Sequence, residues 1–142
     1  MDLRLICDGV RFTLYALEMG ESVADMMKNL ERDNADEHAR MLRRLGQLAE
    51  RGASRRKDEF NDLEQGLFEA KTKGGTRVIF FYDAGAIVIC ACGFHKQSRK
   101  TPRQVLAVAR ERKKYYDAAR ECDEPIRIFK DANQKQPQRV PQ

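Results

Sequence analysis

The stretch LFEAKTKGGTRVIFFYDAGAIVICACGF, residues 67–94, decides the fold. Leu67 to Lys71 reads as a short strand. Lys73-Gly74-Gly75-Thr76 is a tight turn, because glycine accepts the positive φ that hairpin turns demand. Arg77 to Tyr82 is a second strand, Asp83-Ala84-Gly85 a second turn, and Ala86 to Phe94 a third strand. Three strands joined by two short turns make an antiparallel meander. The last two strands are apolar on both faces, so each is expected to be covered on both sides over part of its length. Phe80, Phe81 and Phe94 are core candidates. Cys90 and Cys92, two residues apart on a strand, are expected to share a face as buried thiols.

Upstream, residues 3–19 hold two short extended runs, with Cys7-Asp8-Gly9 as the turn between them. Ser22 precedes a helical pattern with Val23, Met26, Met27 and Leu30 on one face. Asn34-Ala35-Asp36-Glu37 has capping-box spacing and opens a second helix with Met41, Leu42, Leu45, Leu48 and Ala49 at helical intervals. Gly52 is placed to end it. The two helices form a hairpin, and residues 53–62 are polar and read as loop.

Downstream, Thr101-Pro102-Arg103-Gln104 starts a third helix, with Thr as cap and Pro at the first helical position. Its expected inward stripe is Val105, Val108, Ala109, Arg112, Tyr115, Tyr116 and Ala119. The expected fold class is therefore α+β: N-terminal strands, helical hairpin, three-stranded antiparallel meander and C-terminal basic helix. These make one domain over residues 1–120. Residues 121–142, with Pro125, Pro137 and Pro141, read as a tail in which Ile126 to Phe129 could dock or add an edge strand.

Length and composition agree with one small domain: 142 residues, 42% hydrophobic and 35% charged. No run approaches the ~18 apolar residues of a membrane helix. The start MDLRLICDG is not expected to be a signal peptide. Four cysteines without a CxxC pair give neither a zinc ribbon nor a thioredoxin-like motif, and reduced thiols in a cytoplasm are the expectation. The net charge of +5 is uneven: −4 over residues 1–70, +2 over 71–95, +7 over 96–120 and zero over 121–142. Such clustering marks a footprint for a polyanion, most often nucleic acid, although charge runs also serve simply as solvated faces.

The element order resembles that of the RelE/ParE superfamily of type II toxins. Leu67-Phe68-Glu69-Ala70-Lys71, Arg77-Val78-Ile79-Phe80-Phe81-Tyr82, Gly93-Phe94-His95-Lys96-Gln97-Ser98-Arg99-Lys100-Thr101-Pro102 and Arg112-Lys113-Lys114-Tyr115-Tyr116 look like the phage-derived, HigB-like branch of it. The match runs from Leu67 to Tyr116; before that only the element order fits. Three positions depart from the branch's pattern, which has Arg at Lys71, an aromatic at Thr76 and Lys at Gln97.

The resemblance implies a metal-independent mRNA endoribonuclease, often acting at the ribosome, with no cofactor. It also implies a cognate antitoxin partner, of helix-turn-helix type. The chemistry would be attack of a ribose 2′-OH on the adjacent phosphate. That needs a base, cations for the phosphorane charge and an acid for the 5′-oxygen. The catalytic candidates are Lys71, Arg77, His95 and Lys96. Arg77 begins an apolar strand, with pairing to Glu69 as its structural alternative. Lys96 would be a phosphate ligand, and His95 carries an imidazole that titrates near neutrality. Lys73, Arg99, Lys100 and Arg103 are candidates for holding RNA phosphates. Tyr115 and Tyr116 could stack a base or donate a proton, though one of them is expected in the core. No dense Asp/Glu/His cluster lies between residues 67 and 100, which argues against a two-metal nuclease. Two other readings share the fold: a non-catalytic nucleic-acid or protein-binding module, and a ParE-like gyrase inhibitor.

Overall fold

A computed structural model of the chain describes residues 1–95 and 101–130. The expected meander is present as β4 (Phe68–Lys71), β5 (Thr76–Asp83) and β6 (Ile87–His95). It is the centre of a larger sheet. On one side β3 (Phe60–Asp62) pairs antiparallel with β4, inside the segment read as loop. Phe60 is its apolar anchor, with its ring edge-on to that of Phe80 at 6.4 Å. On the other side β6 pairs parallel with β2 (Thr13–Leu17), β2 pairs antiparallel with β1 (Asp2–Asp8), and β1 pairs parallel with β7 (Arg127–Phe129). The result is a seven-stranded mixed sheet, β3-β4-β5-β6-β2-β1-β7, rather than a free-standing three-stranded meander. Both outermost strands are three residues long.

Among the described residues three helices cover the sheet. α1 (Val23–Asp33) opens on a reciprocal capping box: Ser22 Oγ accepts from Asp25 N–H and Ser22 N–H donates to Asp25 Oδ2, both at 3.1 Å. α2 (Ala35–Arg51) is capped by Asn34 Oδ1, which accepts from Glu37 N–H at 3.2 Å. The second half of the expected box is missing, because the Glu37 side chain turns into the protein instead of back to the cap. Gly52, at φ 86°, ends the helix as expected. α3 (Arg103–Glu121) differs at its start: Pro102 is the N-cap and no side chain caps the helix. The Thr101 hydroxyl donates instead to Glu69 Oε2 at 3.0 Å.

The helices lie on opposite faces. Leu14, Val78, Phe80, Val88 and Cys90 meet Met27, Met41, Leu45 and Leu48 of the α1–α2 hairpin. Leu17, Ile79, Phe81 and Ile89 meet Ala109 and Tyr116 of α3. This two-sided burial is what the apolar runs of β5 and β6 require. Val108 and Tyr115, expected inward, are exposed.

One register detail corrects the reading of β6. Ile79 pairs with Cys92 but Phe80 pairs with Cys90, so one extra residue is inserted opposite β5. A bulge of this kind breaks the period-two alternation. Cys90 therefore lies in the hairpin-side core and Cys92 in the α3-side core, with its Sγ 3.9 Å from the Val105 carbonyl. After the bulge Gly93 faces α1, where a Cβ would sit 2.5 Å from Met26 Sδ. The missing side chain lets α1 press onto the strand.

The segment after α3 is partly docked. Arg127 Nε and Nη2 donate to the two oxygens of Asp2 at 2.6 and 2.7 Å, fixing β7 beside β1. Residues 131–142 lie outside the described residues. Among the described residues no helix is long and apolar enough to cross a membrane.

Candidate nucleic-acid interface

Strand alternation decides which candidate residues can act together. Arg77 pairs with Phe94 across β5–β6 and shares the α3 face with Ile79 and Phe81. Its Nη1 lies 3.2 Å from Glu69 Oε1 on β4, and the Arg77 and Glu69 side chains are only 11% and 2% exposed. The other Glu69 oxygen receives the Thr101 hydroxyl. Glu69 thus ties the start of β5 to the residue that leads into α3, so the structural alternative expected for Arg77 is realised. Among the described residues Arg77 Nε is buried without an acceptor.

Lys71 pairs with Arg77 across β4–β5, and its Nζ donates to the Lys57 carbonyl at 2.7 Å at the sheet edge. His95 pairs with Thr76 and so lies on the other face. There it borders an open cleft of about 180 Å³ with Met26, Asn29, Leu30 and Asp33. The expected set of Lys71, Arg77 and His95 is therefore divided between the two faces of the sheet. Lys96, Arg99 and Lys100 lie outside the described residues. Arg103 opens α3 and is exposed.

The two tyrosines separate. Tyr115 is 41% exposed and open to a ligand, whereas Tyr116 is 2% exposed. The Tyr116 ring packs on Phe81 at 5.2 Å and its hydroxyl donates to Asp83 Oδ2 at 2.5 Å. Its ring is covered, so Tyr116 is a core residue and no base can stack on it, and burial and the Asp83 carboxylate both push its pKa up. Burial alone would raise the pKa of Asp83, but the hydrogen bonds from Tyr116, Ala84 N–H and Arg120 hold it below its ordinary value. Arg112, also expected on the inward stripe, is a backbone clamp: Nη1 donates to the Ala91 carbonyl at 2.7 Å and the Glu21 carbonyl at 3.1 Å.

Lys73 stands elsewhere, on the β4–β5 turn beside α2. Arg40, Arg43, Arg44 and Gln47 of α2 join Thr72 and Lys73 around an open cleft of about 260 Å³. The turn is fixed to the helix by Glu37, which is 1% exposed. Its Oε1 accepts from the Thr72 hydroxyl and its Oε2 from Arg40 Nη1 at 2.9 Å. Burial pushes the pKa of Glu37 up, but the donors of Thr72, Thr76 and Arg40 overcome that and hold it below its ordinary value. Of the turn's two glycines only Gly75 has positive φ, 95°. Gly74 serves close approach: a Cβ there would collide with the Glu37 carboxylate.

The arginines of α2 were not among the sequence candidates. Their signal is the i, i+3, i+4 spacing of Arg40, Arg43 and Arg44, which places them on one side of the helix. The net negative charge of residues 1–70 hides that spacing when charge is summed by segment. Among the described residues no group of three His, Cys, Asp or Glu side chains is placed to hold a metal ion.

These features define a three-layer α+β protein with cationic side chains gathered on the β4–β5 hairpin and the facing side of α2. The chain belongs to the phage-derived Gp49-like protein family, whose model matches residues 27–114. That match begins within α1 and ends within α3, and so spans most of the helical hairpin, the meander and the cleft of Arg40, Arg43, Arg44 and Lys73. No curated protein matches the chain.

Proposed function

We propose that this chain is the toxin of a type II toxin–antitoxin pair, a metal-independent endoribonuclease that cleaves mRNA at the ribosome and is held inactive by a helix-turn-helix antitoxin. The family membership supports a phage-related role. The observation that carries the reading is the position of Arg77. It is held by a buried carboxylate at the place where both ends of the 96–102 connection meet the sheet: Phe94 is its cross-strand partner, and Thr101 bonds the same carboxylate. The connection itself, and the helix after it, form the most basic part of the chain. A phosphorane developing beside Arg77 would meet a cation already oriented, which lowers the barrier without reorganisation, and Lys96 is proposed to add a second positive charge. His95 would meet a bound strand from the α1 side, so in this reading it does not share a face with Arg77.

A second reading, a non-catalytic RNA-binding module, is favoured by two of the same observations. Arg77 is neutralised by Glu69 and largely covered, and His95 lies across the sheet from it.

Induced expression separates the readings. The variants are Lys96→Ala and the pair Glu69→Gln with Arg77→Gln, which removes both buried charges together and leaves neither unpaired. Growth arrest with new mRNA 5′ ends for the parent chain, lost in both variants, is the expected result. Arrest with intact mRNA and altered DNA supercoiling would favour a gyrase inhibitor. A folded chain with no arrest would favour the binding module.

A further inference from the structure

The cleft between α2 and the β4–β5 turn has a composition that the Arg77 cluster does not share. All six side chains around it are polar, and four are cationic: Arg40, Arg43, Arg44 and Lys73. Two of the cations are anchored. Arg40 Nη1 is 2.9 Å from Glu37 Oε2. Arg44 Nε donates to the Lys71 carbonyl at 2.8 Å, and its Nη1 donates to Gln47 at 2.8 Å and lies 3.3 Å from Glu59 Oε2. Glu59 is itself held by Gln47 Nε2 at 2.8 Å and Ser54 Oγ at 2.7 Å. The other two cations, Arg43 and Lys73, are exposed and pair with no carboxylate among the described residues. Four cations against two carboxylates leave an excess of two positive charges, carried by the two side chains that face water.

We propose that this cleft binds the phosphodiester backbone of a nucleic-acid strand, with Arg43 and Lys73 each taking one of two successive phosphates. Arg44 and Glu37 position them, because they fix α2 and the turn relative to each other. A docked protein segment is the poorer fit: such interfaces centre on buried apolar or aromatic anchors, and no apolar side chain lines this cleft. Phosphate needs only oriented cationic donors, and a guanidinium beside an ammonium supplies them. The site lies on the α1–α2 side of the sheet, away from Arg77. It shares with the proposed function only a nucleic-acid partner and does not require cleavage.

The test is fluorescence anisotropy with a labelled 2′-O-methyl RNA strand, which has no free 2′-OH and cannot be cleaved by 2′-OH attack. A DNA strand of the same base sequence is measured beside it, each across a salt series. Arg43→Glu with Lys73→Glu is expected to weaken binding at least about tenfold. Loss of two single-strand phosphate contacts should reduce the slope of log K against log salt by about 1.4. The pair Arg43→Lys with Lys73→Arg should retain most of the affinity. Equal effects on RNA and DNA would assign the site to phosphate alone, and a larger effect on RNA would add ribose recognition. Unchanged affinity and slope in the charge-reversed variant, with an unchanged melting temperature, would overturn the proposal. So would strong binding of an acidic peptide abolished by the same substitutions while RNA affinity held. Loss of mRNA cleavage by the Glu69/Arg77 variant bears on the proposed function only, so the two ideas fail separately.

Discussion

Glu37→Gln tests whether one buried charge holds the hairpin to the helix. Glu37 is 1% exposed, and its carboxylate accepts from the Thr72 hydroxyl and from Arg40. Glutamine has nearly the same shape, but it converts two charge-assisted bonds into neutral ones. It also points an N–H₂ group at one of the two donors. Charged hydrogen bonds exceed neutral ones by about 1 kcal/mol each, so the substitution should cost about 2 kcal/mol at pH 7. For a domain of this size that is a fall of about 6 °C in Tm. The pH dependence supplies the sharper check. The folded pKa of Glu37 lies below its ordinary value of 4.5. A depressed carboxylate contributes stability that is complete above the unfolded value and is lost as pH falls through the folded value. The gap between the parent chain and the glutamine variant should therefore hold from pH 8 to 6 and narrow below about 4.5. Urea denaturation of both proteins across this range measures it. A gap under about 0.5 kcal/mol at pH 7, or one that persists unchanged at pH 3, would refute an ionised Glu37.

Three further outcomes follow from the geometry. Ala86 sits at φ 61° after Gly85; Ala86→Gly should raise stability by about 0.5 kcal/mol, relief of left-handed strain being partly offset by a freer unfolded chain, as urea titration will show. Tyr116→Phe removes the hydroxyl that donates to Asp83 and should cost about 1–2 kcal/mol at pH 7, with less effect once Asp83 is protonated in acid. Cys122 is exposed, while Cys90 and Cys92 are buried and burial pushes the Cys92 thiol up to about 11. A thiol reagent at pH 8 should modify Cys122 first in the native protein, and Cys90 and Cys92 only in denaturant; early labelling of Cys92 would contradict the packing.

The parts of the fold that were legible in the sequence have local causes. Ser22, Asn34 and Gly52 act at helix ends through atoms a few residues away, and the apolar runs of β5 and β6 announce burial on both faces. The parts that were not legible depend on distant partners. The only apolar residue of β3 is Phe60, and it becomes a strand because β4 is there to pair with it. The bulge at Ala91–Cys92 adds one residue without any turn signal, and it undoes the shared face expected of the two cysteines. Thr101 has the composition of a cap, yet Glu69, 32 positions away in the chain, takes its hydroxyl. The same divide runs through the site. Arg77 and its neighbour Glu69 could be named from the hairpin alone. The separation of His95 from Arg77 follows from the bulge in β6, which shifts the register by one and sets His95 opposite Thr76, and the arginines of α2 gain a common cleft with Lys73 only when the helix hairpin folds over the β4–β5 turn.

The two ends of the sheet limit how this protein can be captured. A partner that adds a strand draws affinity from a run of unpaired backbone groups, and specificity from alternate side chains along that run. Among the described residues the ladder stops at Phe60–Asp62 on one side and Arg127–Phe129 on the other. Either rim offers a visiting chain no more than a single short rung of contacts, beside the charged Asp62 or Arg127, and such truncated, charged rims resist uncontrolled strand addition. A partner binding at either described rim would have to be selected by the charge and shape of side chains rather than by backbone pairing.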